Sequence, residues 1–191
     1  MKTDKLFELL AGIYPLSNGF RDTLSKLLVQ LSLPKNHMFL EPPNIAGFAC
    51  YIETGFAFSY TYIDGKKNIE RLWTAGEIMV SPKSFFEQRP STEFIQLALP
   101  SELLCISYSN QLRLFDAHPE THFLTRAIMN VYIEHARERA FDMKNFSALE
   151  RYHQLLAKFP LIEQILSQEQ IASYIGVAPQ SLSRMKRKGY S

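Results

Sequence analysis

A chain of 191 residues, 46% hydrophobic and 21% charged, can build one sizeable core or a medium domain with a satellite, and its composition excludes a disordered polymer. No apolar run approaches the ~20 residues of a membrane helix. Met1 to Leu10 mixes Lys2, Asp4, Lys5 and Glu8 among apolar residues, unlike a signal peptide, so a cytoplasmic protein is expected. The net charge of +2 names no partner, but Arg184, Lys186, Arg187 and Lys188 crowd the C-terminal tip with no acid among them. That tip is either a solvated tail or a local electrostatic footprint.

In chain order, Lys5 to Ile13 and Ser17 to Leu31 read as two helices, the second with Phe20, Leu24, Leu27, Leu28 and Leu31 at helical spacing. From Leu33 the period shortens. Phe48, Cys50 and Ile52 alternate, then Phe56, Phe58, Tyr60 and Tyr62, and the dipeptide Asp64-Gly65 predicts a tight hairpin turn before Ile69, Arg71 and Trp73. Phe94 to Leu99 and Leu103 to Ser107 complete a set of short strands suited to a sandwich or barrel. Cys50 and Cys105 sit inside two of these apolar runs and read as buried free thiols. They are too few for a disulfide framework or for the about four thiolates of an iron–sulfur cluster.

Past Pro119, a long helix is expected to about Asp142. Leu124, Ile128, Val131 and His135 form one stripe on it, widened by Phe123 and Ala127, enough to serve the chain's own core and a partner helix. A further helix runs from Phe146 to Lys158, ended by Pro160, and two short helices flank Gly176.

These two helices carry the function. Ala172 is small where crossing helices approach, and Gly176 supplies the positive φ of a turn. Ile171 and Ile175 face inward, as do Leu182 and Met185, with Val177 plugging the turn and Pro179 in the opening turn of the second helix. Gln180, Ser181, Ser183, Arg184 and Arg187 then point outward, side chains that can meet base edges and phosphates. The pattern is that of a helix-turn-helix, and a plain helical hairpin with a basic tail is its bland rival.

Gln168 to Met185, with Ser147-Ala148-Leu149-Glu150-Arg151-Tyr152 before it, resembles the DNA-binding part of the catabolite activator and Fnr-type (Crp/Fnr) family of transcription regulators. With the β region and long helix in the same order, the resemblance covers nearly the whole chain. It implies an α+β protein: an N-terminal double-stranded β-roll flanked by helices (1–118), a dimerisation helix and hinge (119–145) and a helix-turn-helix domain (146–191). By that likeness Gln180, Ser181 and Arg184 occupy the base-reading face, with Pro179 where relatives often carry a basic contact. Lys186, Arg187 and Lys188 are expected nearer phosphates. Ending at Ser191, the chain leaves little room for the β-hairpin wing of many relatives. Implied partners are a two-fold DNA site, a second copy joined through Leu124, Ile128, Val131 and His135, and RNA polymerase.

The family's cyclic-nucleotide sites hold the ribose with a Glu after a Gly, and the phosphate with an Arg followed by small residues. Gly76-Glu77 resembles the first half. The second half departs: Pro90-Ser91-Thr92 stands there, and Arg89 comes one residue early. Proline offers neither guanidinium nor N–H. Gly76, Glu77, Arg89, Ser91 and Thr92 are therefore candidate effector residues for a pocket expected to take cyclic AMP weakly or not at all, with no cofactor and an unknown effector. Gly76-Glu77 reads more simply as a strand-end turn.

Two rivals stay open: a metal protein or enzyme on a similar roll, and a β-roll signalling module that binds no DNA. Against the first, none of the histidines 37, 118, 122, 135 and 153 lies among the strands between Ala46 and Leu104, and His118 with His122 fits a helix entry. No Ser/His/Asp arrangement, phosphate loop or CxxC is present, so no catalytic or metal residue is expected.

Overall fold

The computed structural model describes residues 3–189, with side chains to residue 187. Its chain forms two compact units, one of residues up to Phe58 with Leu72–Tyr132, the other of Ser59–Arg71 with everything from Ile133 onward. The expected boundaries at 118 and 145 differ from these. The long helix is shared by the two units, and the tip of a β-hairpin is grouped with the C-terminal residues.

The first unit is built on a β-roll of two four-stranded sheets. Strands β1 (Val29–Leu33), β8 (Ser101–Ser107), β3 (Phe48–Thr54) and β6 (Ile78–Met79) make one sheet in that order. β2 (Met38–Leu40), β7 (Phe94–Leu97), β4 (Phe56–Ile63) and β5 (Lys66–Thr74) make the other. Alternating apolar residues of both sheets meet inside, where Ile52, Trp73, Met79, Leu97 and Leu103 are fully buried together with Phe85 of α3 (Pro82–Glu87). A second core forms where α1 (Asp4–Ile13), α2 (Asn18–Leu27), α4 (Tyr108–Ala117) and the start of α5 (Glu120–Asn145) cover one sheet. Leu6, Phe20, Leu24, Leu104, Leu114 and Leu124 pack there.

Two expectations are corrected in this unit. The helix expected over Ser17 to Leu31 stops at Leu27, and Val29–Leu33 is a strand. Leu28 turns to ψ 143°, and each residue from Val29 to Leu33 finds an antiparallel partner on β8, from Cys105 back to Ser101. A pairing partner some seventy residues away overrides the helical spacing of the leucines. The cysteines are not free thiols. The β3–β8 register sets Cys50 directly opposite Cys105, and they are joined as a disulfide inside the roll. Directly opposed residues project to the same face, so the register that buries the strands also brings the sulfurs together.

The second unit is mostly helical. It holds the C-terminal half of α5, then α6 (Ala148–Lys158), α7 (Ile162–Ile165), α8 (Gln168–Tyr174) and α9 (Pro179–Gly189). Capping boxes start two of the helices: Ser147 with Glu150 for α6, and Ser167 with Gln170 for α8. The expected hairpin turn is present, with Asp64 at φ 49° and Gly65 at φ 74°. Ser173 on α8 joins the hairpin as a strand edge would. Its hydroxyl accepts from the Ile69 N–H and donates to the Lys67 carbonyl, both at 2.8 Å. No helix among the described residues is long and apolar enough to cross a membrane.

Candidate nucleic-acid interface and effector site

The helix-turn-helix is seated by burial. Ile171, Ala172 and Ile175 of α8 and its turn, with Leu182 of α9, are each at most 2% exposed, as the apolar pattern requires. Ala172 does more than leave space: its carbonyl accepts from the Val177 N–H (2.9 Å) across the turn. Gly176 takes φ 73°, and a Cβ there would come within 2.9 Å of the Met143 thioether. Positive φ and a close neighbour both favour glycine here. Arg151 on α6 fixes the same turn, donating from Nε to the Ile175 carbonyl at 2.9 Å and from Nη1 to the Phe146 carbonyl at 2.5 Å. The Arg151 anchor and the Ser173 bridge to the hairpin were invisible in the sequence, because their partners are backbone atoms.

On α9, Pro179, Gln180, Arg184 and Arg187 are exposed, and Ser181 and Ser183 are half-buried. Gln180, Arg184 and Arg187 follow one another at steps of four and three residues, so they form one row along the helix. Lys186, expected near phosphates, is drawn instead to Glu163 of α7 in an ion pair. Glu163 also accepts from the Tyr152 hydroxyl at 2.6 Å, and Lys186 followed by Tyr152 holds its carboxyl below the usual range. The Lys188 side chain lies outside the described residues.

The candidate effector residues are engaged locally or lie on the surface. Gly76 makes a turn at φ 92°, and Glu77 bends back so that its carboxylate accepts from the Thr74 N–H at 2.8 Å, a turn cap. Arg89 lies on the surface with Glu87, 3.4 Å away. Ser91 is buried and closed on Glu93, donating to its carbonyl at 2.7 Å and accepting from its N–H at 3.1 Å, while Thr92 is exposed. The Glu93 carboxylate accepts from Ser81 at 2.6 Å. Three cavities in the described residues have none of these five candidates in their walls.

A residue that the sequence reading passed over occupies this part of the roll. Tyr132 on α5 puts its hydroxyl among three buried or half-buried partners. It accepts from Trp73 Nε1 (3.1 Å) and the Val80 N–H (2.9 Å), and donates to the Ile78 carbonyl (2.8 Å). Its place in a long helix, outside the apolar stripe, offered no signal for so polar a role.

The stripe expected to pair two copies is divided. Leu124 is buried in its own unit's core, Ile128 lines an apolar cavity there, and His135 lines a polar cavity of the second unit. Val131 alone of the four is exposed, at 58%, together with Ile133 at 59% and Phe141 at 58%.

No protein-family model matches the sequence, and no curated protein does. Solved structures match in fold. A protein assigned to the crp/fnr family of transcriptional regulators from Eubacterium rectale superposes with a TM-score of 0.75 at 14% identity, over 91% of this chain and 83% of its own. CLP, the c-di-GMP responsive global regulator of Xanthomonas campestris, gives 0.71 at 16% identity over 90% and 91%. The catabolite activator protein of Thermus thermophilus gives 0.59 at 16% identity over 94% and 85%. The chain has the fold of these regulators, the β-roll, long helix and C-terminal helices included.

Proposed function

We propose that this chain is a sequence-specific DNA-binding transcription regulator, not an enzyme, that acts in the cytoplasm as a homodimer. One observation carries the reading: the exposed row of Gln180, Arg184 and Arg187 on a helix seated by buried Ile171, Ala172, Ile175 and Leu182. Planar guanidinium and amide side chains on an exposed helix suit bidentate contacts to guanine and adenine in a major groove. RNA polymerase is the further partner this reading implies at a promoter.

A two-fold DNA site requires a two-fold protein. The exposed apolar residues Val131, Ile133 and Phe141 on α5 support a second copy as the cover. Replacing Val131 and Ile133 with aspartate is expected to give monomers by sedimentation while leaving the circular dichroism spectrum unchanged. A wild-type chain that is monomeric at micromolar concentration would refute the dimer.

The roll is proposed to bind cyclic AMP weakly or not at all. Pro90 stands where the phosphate's guanidinium is expected, and a carboxylate, Glu93, follows in the same stretch. A charge-assisted pair contributes about 1.5–3 kcal/mol, so its loss weakens binding by roughly one to two orders of magnitude. Calorimetry tests this, and low-micromolar affinity would overturn it.

The main experiment is selection of bound duplexes from random DNA by the full chain. The expected result is a two-fold motif with half-sites about one helical turn, roughly 34 Å, apart. Failure to enrich any sequence, even at low salt, would favour a β-roll module without DNA binding.

A further inference from the structure

The second unit contains a polar cavity of about 220 Å³ that the DNA-binding reading does not use. α5 contributes His135 and Arg139 to its wall, α6 contributes Arg151 and Lys158, and Tyr174 closes it from the end of α8. Glu138 and Asp142 also line it, yet among the described residues Arg139, Arg151 and Lys158 form no ion pair.

Main-chain carbonyls hold the two guanidiniums instead. Arg139 donates from Nη2 to the Ile69 carbonyl at 3.0 Å and lies over the Tyr174 ring, 4.4 Å from its centroid. Arg151 is fixed by the Ile175 and Phe146 carbonyls. A carbonyl satisfies a donor and aims the fork, but cancels no charge. The resulting field is felt at His135. Burial, then Arg71 of the hairpin, Lys158 and Arg139 push its imidazole down to about 4, leaving a neutral ring with one N–H to donate.

We propose that this cavity binds a small phosphate-bearing anion, either free phosphate or the phosphate monoester of a small metabolite. Two guanidiniums held in the cavity wall and an ammonium are the donors that a tetrahedral oxyanion accepts from, and the neutral imidazole adds a hydrogen bond without requiring a further charge. The volume holds about seven waters at roughly 30 Å³ each, which admits a phosphate or a three-carbon phosphate ester and excludes a dinucleotide. Because Arg151 also anchors the Ile175 carbonyl at the turn into α9, an occupant would stiffen the seat of the helix-turn-helix.

The test uses the full chain without DNA. Inorganic phosphate and glycerol 3-phosphate are each titrated by calorimetry, with chloride holding ionic strength constant. The expected dissociation constant is below about 1 mM for at least one probe. Tighter binding of glycerol 3-phosphate assigns the site to a metabolite, and tighter binding of phosphate assigns it to the free ion. Lys158→Gln, at an exposed position that makes no structural hydrogen bond, is expected to weaken binding about tenfold. The His135 ring resonances, identified with His135→Asn, are expected to move on titration. Arg184→Ala, on the DNA-reading helix, is expected to leave phosphate affinity unchanged. No heat from either probe, or binding that survives Lys158→Gln but is lost in Arg184→Ala, would overturn the proposal. The second result would place the anion on the DNA-contacting row and leave the DNA-binding reading intact.

Discussion

The roll and the C-terminal unit each contain residues of the kind that bind a small ligand, and they treat them in opposite ways. In the roll, Glu77 caps its own turn, Ser91 closes on Glu93, Arg89 stays on the surface and Tyr132 satisfies three partners. In the C-terminal unit, Arg139 and Arg151 are aimed by carbonyls and keep their charge, and Gln180, Arg184 and Arg187 stand exposed. Spacing shows which residue types are available. Whether they can bind anything depends on whether the fold has already used their hydrogen-bonding capacity.

The largest expected effect comes from opening the roll. Tyr132→Phe keeps the ring and removes the hydroxyl, leaving the Trp73 and Val80 N–H groups and the Ile78 carbonyl without that partner. A loss of about 3 kcal/mol in urea unfolding is expected. A change below about 0.5 kcal/mol would mean that water replaces the hydroxyl easily and that the roll is less closed than described.

Next comes the exposed row on α9 that is proposed to read DNA. Arg184→Ala is expected to cost roughly 1–3 kcal/mol on the selected site and to relax discrimination at one base position per half-site. If affinity falls equally for every sequence, Arg184 contacts phosphate and α9 is seated differently in the groove.

The third expectation concerns acid. The folded pKa of His135, about 4, lies below its ordinary 6.5, so the unfolded chain binds the proton more readily. The stability from keeping this ring neutral is fully present above pH 6.5 and is lost as pH falls toward 4. About 1–2 kcal/mol is expected, less than the bare linkage value because the ring is only half-buried and solvent screens the nearby cations. His135→Gln should flatten that part of the stability profile, and an unchanged acid limb would place the positive field elsewhere.

The smallest effect separates two neighbours on α9. Arg187→Ala is expected to reduce the salt slope of DNA binding by about one unit. Lys186→Ala should leave the slope nearly unchanged, since its ammonium is engaged by Glu163. Equal slopes for the two variants would show that Lys186 exchanges Glu163 for a phosphate on binding.

What could be read along the chain was whatever a few consecutive residues encode. Asp64-Gly65 specified its hairpin turn, Gly176 its left-handed turn, and the buried Ile171, Ile175 and Leu182 the two short helices, because each signal acts through the local backbone. The strand at Val29–Leu33, the bond between Cys50 and Cys105, the inward turn of Lys186 to Glu163 and the use of Glu77 as a cap were decided by the tertiary structure. For the first three, the deciding partner lies between 23 and 76 residues away. For Glu77 it is only three residues away, but a carboxylate that caps its own turn and one that waits for a ribose look alike in sequence. The grouping of the hairpin tip with the helix-turn-helix belongs to the same class, since Ser173 meets backbone atoms of Lys67 and Ile69 more than a hundred residues earlier. Backbone donors and acceptors are present at nearly every residue, so no side-chain pattern marks which of them a distant hydroxyl or guanidinium will find.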